Sequence, residues 1–200
     1  MTRETGARTE GTGRGHPARS VRKAPSSSRN PGPTFLSVEN RQSLRAVDRN
    51  RCKALLAWLV QKALPVRRRR EAPPWREVTL ILVSDRGSAA AHRAVFDDPA
   101  PTDVITLSYG TEPGGEPGLS GELIVNVQRA VEEGSRRTAG RRRTWDADHE
   151  LALYLAHGID HLTGADDADD AGYARMRRRE LRWVAEAEES GLVRLLRPLP

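Results

Sequence analysis

Residues 146–162, DADHELALYLAHGIDHL, constrain the fold more than any other stretch of the chain. Leu151, Leu153, Tyr154, Leu155 and Ile159 spread around the helix they form instead of lining one stripe. A helix apolar on most sides is a buried helix, so other elements must cover it. The rest of the chain supplies candidates. REVTLILVSD, VITLSY and GELIVNV are short aliphatic or β-branched runs ended by polar residues, which predicts strands; FLSVEN reads as an edge strand. Leu55, Leu56, Trp58, Leu59 and Leu64 recur at helical spacing from about Val47, and Pro65 is expected to stop that helix. Shorter helices are expected over Ala89–Val95 and from Val127, with Gly134 near the end of the second. A last amphipathic helix should run from about Asp169 to Glu189 with Met176, Leu181 and Val184 facing inward. Alternating helices and short strands imply an α/β or α+β layer fold around one small sheet.

The ends and loops read differently. Residues 1–33 are rich in Gly, Ser, Pro, Thr and Arg and nearly free of large apolar side chains, so they are expected to form a disordered basic tail. One domain then spans 34–200. Arg67 to Arg70 with Pro73 and Pro74 read as a solvated linker turn. Cys52, the only cysteine, excludes an intrachain disulfide and a thiolate zinc cage, and its setting marks it as a small buried hydrophobe. Apolar runs fall short of the roughly 20 residues that span a bilayer, and the N-terminus lacks an apolar signal core, so the expected location is cytoplasmic, with no membrane partner. The net charge of +6 suits an acidic partner such as nucleic acid. The excess is almost all arginine, with Lys23, Lys53 and Lys62 the only lysines, so a compositional bias explains it equally well.

His157 and His161 lie four residues apart and therefore project from one helical face, the spacing by which two imidazoles reach one zinc ion. Gly164 lets the chain turn out of the helix, and the acidic run Asp166, Asp167, Asp169 and Asp170 follows within reach. Gly158 stands where the metalloprotease pattern H-E-x-x-H carries its general base, which argues against that mechanism.

HGIDHLTGADD resembles the signature of the YbeY endoribonuclease family, whose usual form is H-G-x-x-H-x-x-G-x-D-H. The match falls on His157, Gly158, His161, Gly164 and Asp166. PTDVITLS (101–108) is similar to the family's P-T-D-V-L-S-F segment, GELIVNVQRA (121–130) to its G-D-I-V-I strand and helix start, and SVENRQ (37–42) to its opening strand. The likeness covers roughly Thr34 to Glu189. It implies an α+β fold with helices packed around a small mixed sheet. It further implies a zinc-type ion at the signature histidines, and single-strand-selective endoribonuclease activity in ribosomal RNA maturation.

Two departures bear on the site. The family's third histidine falls at Asp167, so the implied ligand set is His157, His161 and Asp167, with Asp166 orienting a ligand or the loop. A carboxylate is harder than an imidazole and widens the choice of ion toward manganese. The arginine that many relatives carry before PTDV falls at Phe96; Arg93, three residues earlier, either replaces that cation or is a surface residue. Asp160 reads as a proton acceptor or a solvated helix residue, and His149 as a helix-start residue or an RNA contact. The RNA backbone would be held through its phosphates by Arg93, Arg129, Arg136, Arg137, Arg141, Arg142 and Arg143. Few aromatics are available for base stacking, so the ribosomal particle or a ribosomal protein would position the substrate. Two further readings stand beside the nuclease: a non-catalytic ribosome-assembly factor that keeps the fold, and a metal hydrolase of another substrate.

Overall fold

A computed structural model describes residues 34–69, 75–110, 119–138 and 145–197. The basic tail expected over 1–33 lies outside them, as do Arg141, Arg142 and Arg143. In chain order the elements are β1 (Phe35–Asn40), α1 (Arg49–Arg69), β2 (Trp75–Val83), α2 (Asp85–Phe96), β3 (Val104–Tyr109), β4 (Leu119–Asn126), α3 (Val127–Thr138), α4 (Ala147–Leu162) and α5 (Asp170–Glu189). The four strands form one mixed sheet in the order β1-β2-β4-β3. β1 runs parallel to β2 and β2 parallel to β4, while β3 returns antiparallel along β4. This is the α+β arrangement expected, with FLSVEN at the edge.

The inner strands β2 and β4 bury Val78, Leu80, Leu82, Leu123 and Val125. α4 then lies against β3 and β4 and also touches α1, α3 and α5. Its burial follows from its sequence: Leu151, Leu153, Leu155 and Ile159 are all at most 1% exposed. Asp146 caps the helix by accepting from the His149 amide at 3.1 Å, and the His149 ring sits at 2.6 Å from the same carboxylate. His149 is thus a helix-start residue. Cys52 is fully buried, and that burial pushes its thiol up to about 12. Among the described residues, no helix is long and apolar enough to cross a membrane.

Three expectations are corrected. Pro65 does not stop α1, which continues to Arg69. Proline costs the helix one amide bond, but Val66 and Arg67 beyond it are buried and packing carries the last turn through. Arg67 is therefore no solvated linker residue: it is 2% exposed. Its Nη1 donates to the Leu162 carbonyl at 2.6 Å, and its guanidinium lies 4.3 Å from the Trp75 ring centroid. That bond satisfies a carbonyl at the C-terminal end of α4, where a cation also opposes the helix dipole. On α5, Leu181 is 39% exposed; the inward stripe is instead Met176, Glu180, Trp183, Val184 and Ala187.

Candidate metal centre

His157 and His161 project from the last two turns of α4, next to the sheet. The helix can approach that closely because residue 158 is glycine. A Cβ there would lie 2.6 Å from Leu123 Cδ2 and 3.3 Å from Thr106 Oγ1. The position that carries glutamate in H-E-x-x-H is thus packed against β3 and β4, which accounts for its absence.

After α4, Gly164 adopts φ 81° and turns the chain back. This return places Asp167 opposite the two rings. Its carboxylate oxygens lie 3.8 Å from His157 Nε2 and 3.7 Å from His161 Nε2. Exposed Asp166 accepts the Ala168 amide at 3.0 Å, a bond that shapes the returning loop. His157, His161 and Asp167 form a group able to hold a metal ion, with one ligand atom from each within 4.8 Å of the others.

The bonding of the outer ring nitrogens gives the strongest test of that fit. His157 Nδ1 donates to Glu180 Oε1 at 2.7 Å, and His161 Nδ1 donates to the Ala165 carbonyl at 3.2 Å. A carboxylate and a carbonyl only accept, so each ring carries a proton on Nδ1 and leaves Nε2 to face the site. The two Nε2 atoms face each other at 3.1 Å. At that separation the two Nε2 atoms either share a proton or direct their lone pairs at a cation beside the nearby carboxylate. Donor type, ring orientation and charge therefore suit a divalent ion.

Glu180 is the residue that sequence reading missed. It is 1% exposed on α5, and Arg177 lies 3.7 Å from its other oxygen. Burial alone pulls the His157 imidazole down. The Glu180 hydrogen bond and charge, with smaller contributions from Asp103 and Asp167, reverse this and hold it above its ordinary value. The signal was present: Glu180 stands four residues after Met176 and four before Val184, on the inward stripe.

Asp160, between the two histidines in sequence, is fully buried and not a solvated residue. Arg179 holds its carboxylate through Nε at 2.9 Å and Nη2 at 2.6 Å. Burial pushes Asp160 up while Arg179 opposes, and the net direction is upward. With its oxygens committed to Arg179, it lines neither cleft beside the histidines, and its proton-accepting reading has no geometric support.

Two clefts meet at the rings. The first, of about 390 Å³, is lined by His157, Asp167 and Glu180 together with Arg129, Arg137 and Arg177. The second, of about 400 Å³, runs along β3 and includes His157, His161, Thr106, Ser108 and Phe96. Phe96 is 59% exposed at its mouth. The loop before β3 is pinned to α2 and β4: Ser88 Oγ donates to the Thr102 carbonyl at 2.7 Å, and buried Asn126 Nδ2 donates to it at 3.0 Å. Arg93 is exposed on α2 and lines neither cleft, and exposed Arg136 pairs with Glu133 at 2.5 Å.

The family model "Endoribonuclease YbeY" matches residues 37–188. A protein named Endoribonuclease YbeY from Anaeromyxobacter sp. is 38% identical over 117 residues, 58% of this chain and 56% of that one. The protein of the same name from Mycobacterium tuberculosis is 32% identical over 146 residues, covering 67% of this chain and 79% of its own length. The solution structure of TM1509 from Thermotoga maritima is 22% identical, with a TM-score of 0.46 over 78% of this chain and 91% of that one.

Proposed function

Since the chain belongs to the YbeY family, we propose that it is a metal-dependent endoribonuclease selective for single-stranded RNA, acting in the cytoplasm in ribosomal RNA maturation. The observation that carries this reading is the convergence of two imidazole Nε2 atoms and one carboxylate where two open clefts meet. His157, His161 and Asp167 would hold one zinc ion, or a harder divalent ion that the carboxylate favours. When bound, such an ion supplies Lewis acidity for a phosphoryl oxygen and lowers the pKa of a water.

The chain's own groups do the rest. Glu180 fixes the His157 tautomer and ring plane, and the Ala165 carbonyl does the same for His161. Asp167 offsets charge beside both rings. Arg129, Arg137 and Arg177 on the first cleft wall offer guanidinium forks to phosphate oxygens and stabilise the negative charge that develops at phosphorus. Arg93 and Arg136 would extend the phosphate contacts beyond the cleft, and the Arg141–Arg143 run would supply further phosphate contacts. In the second cleft, exposed Phe96 presents an aromatic face on which an unpaired base can stack. An unpaired strand fits this arrangement because its bases are free to turn toward Phe96 while its phosphates face the arginines. Contacts of this kind are sequence-tolerant, which leaves a ribosomal particle or ribosomal protein to choose the cleavage site.

The test is metal content and cleavage of single-stranded RNA, measured side by side on the wild type and His157→Ala. Near-stoichiometric metal and cleavage in the wild type, both lost in the variant, are expected. Metal without RNA turnover favours the assembly-factor reading, which Asp167 and Phe96 motivate. Turnover of a peptide or nucleotide but not of RNA selects a different hydrolase.

A further inference from the structure

α5 carries a second basic surface, one that the metal centre does not use. Tyr173, Met176, Arg177 and Glu180 of this helix line the first cleft. At 100° per residue, Arg175, Arg178, Arg179 and Arg182 fall roughly on the opposite side of the same helix. Together with Lys62 of α1 they line a groove of about 700 Å³ between α1 and α5.

Charge in this groove is poorly balanced. Glu186 is the only carboxylate lining it, and it lies 2.6 Å from Lys62 and 3.8 Å from Arg182. Arg179 is committed to Asp160. Arg175 and Arg178 are exposed and have no acidic partner among the described residues. The walls offer little to an apolar anchor: Trp183 is 3% and Val66 9% exposed, and Pro65 is the one exposed apolar residue lining the groove. A protein partner normally fixes itself through such an anchor at the centre of its interface. A row of guanidinium forks along one helix instead matches successive phosphates of a nucleic-acid backbone.

We infer that the α1–α5 groove is a second RNA-binding surface, which grips the phosphate backbone of a single strand on the side of α5 away from the metal centre. The inference takes from the proposed function only that the polyanion is RNA. A strand held there can pass round α5, so that substrates longer than the catalytic cleft gain affinity without any change at the reacting phosphate.

The experiment compares the full-length wild type with the triple variant Arg175→Gln, Arg178→Gln and Arg182→Gln. Arg179 is left intact because it holds buried Asp160, and equal thermal melting of the two proteins confirms an undisturbed fold. Binding of a long single-stranded RNA is titrated against salt with EDTA present, so that no metal-dependent cleavage intervenes. Each lost phosphate contact on a single strand lowers the slope of log K against log salt by about 0.7, so the triple variant should be shallower by about 2. Cleavage of an oligonucleotide too short to round α5 should be unchanged with metal restored. A wild-type slope in the variant overturns the inference and leaves the proposed function standing. A shallower slope in a protein that never cleaves RNA supports the groove and overturns the function.

Discussion

Replacing Glu180 tests the ligand geometry without touching a ligand. Its carboxylate is 1% exposed and sits 2.7 Å from His157 Nδ1. That short, charge-assisted contact does two things: it fixes the ring so that Nε2 faces the site, and it makes the ring a stronger donor. Glu180→Gln keeps an oxygen for Nδ1–H to bond and so preserves orientation, while losing the charge. Glu180→Ala loses both. Removing such a partner typically weakens metal binding 10- to 100-fold, about 1.4–2.7 kcal/mol. Glutamine should fall near the lower figure and alanine near the upper. The assay is competition for zinc against a chromophoric chelator, run well above the ordinary imidazole value of 6.5 so that proton competition is small. A change below about twofold in both variants, set against the usual 10- to 100-fold, would refute the assignment of Glu180 as the group that orients and strengthens His157.

Asp167→His should raise preference for zinc over manganese in the same competition assay, because a softer imidazole replaces a hard carboxylate. Acidification should weaken metal binding as protons compete for the Nε2 lone pairs, and the weakening should set in above pH 6.5 because the folded His157 value is raised. In the metal-free protein the sign is opposite. The raised value contributes stability fully present below 6.5 and lost as pH rises through the folded value, so the melting temperature should decline over that window. Arg67→Met keeps an apolar stem over Trp75 but loses the bond to the Leu162 carbonyl. The expected loss is about 2–3 kcal/mol, read as a lower denaturant midpoint at constant slope.

What could be read from the chain tracked local periodicity. Strand runs with period-two or continuous apolar character, the all-round apolar α4 and the four-residue histidine spacing are encoded within a few residues of one another. The structure placed the strands and α4 as expected; Gly164 turns the chain at the end of that helix, and Asp167 follows beside the rings. What escaped depends on partners distant in the chain. Arg67 looked solvated in a basic run, yet its guanidinium serves Leu162, 95 residues away. Pro65 looked terminal because the burial that carries α1 past it is tertiary. Asp160 looked solvated because its partner Arg179 sits on another helix. Glu180 was different: its place on the inward stripe of α5 was visible, and a buried carboxylate needs a partner.

The central claim is tested most directly by titrating metal-free protein with zinc while following cleavage of a single-stranded RNA. The account predicts no cleavage at zero metal, a rate that saturates at one ion per chain, and no activity at any metal level in His157→Ala. Saturated protein that leaves the RNA intact, or cleavage that persists undiminished with EDTA present, would contradict it.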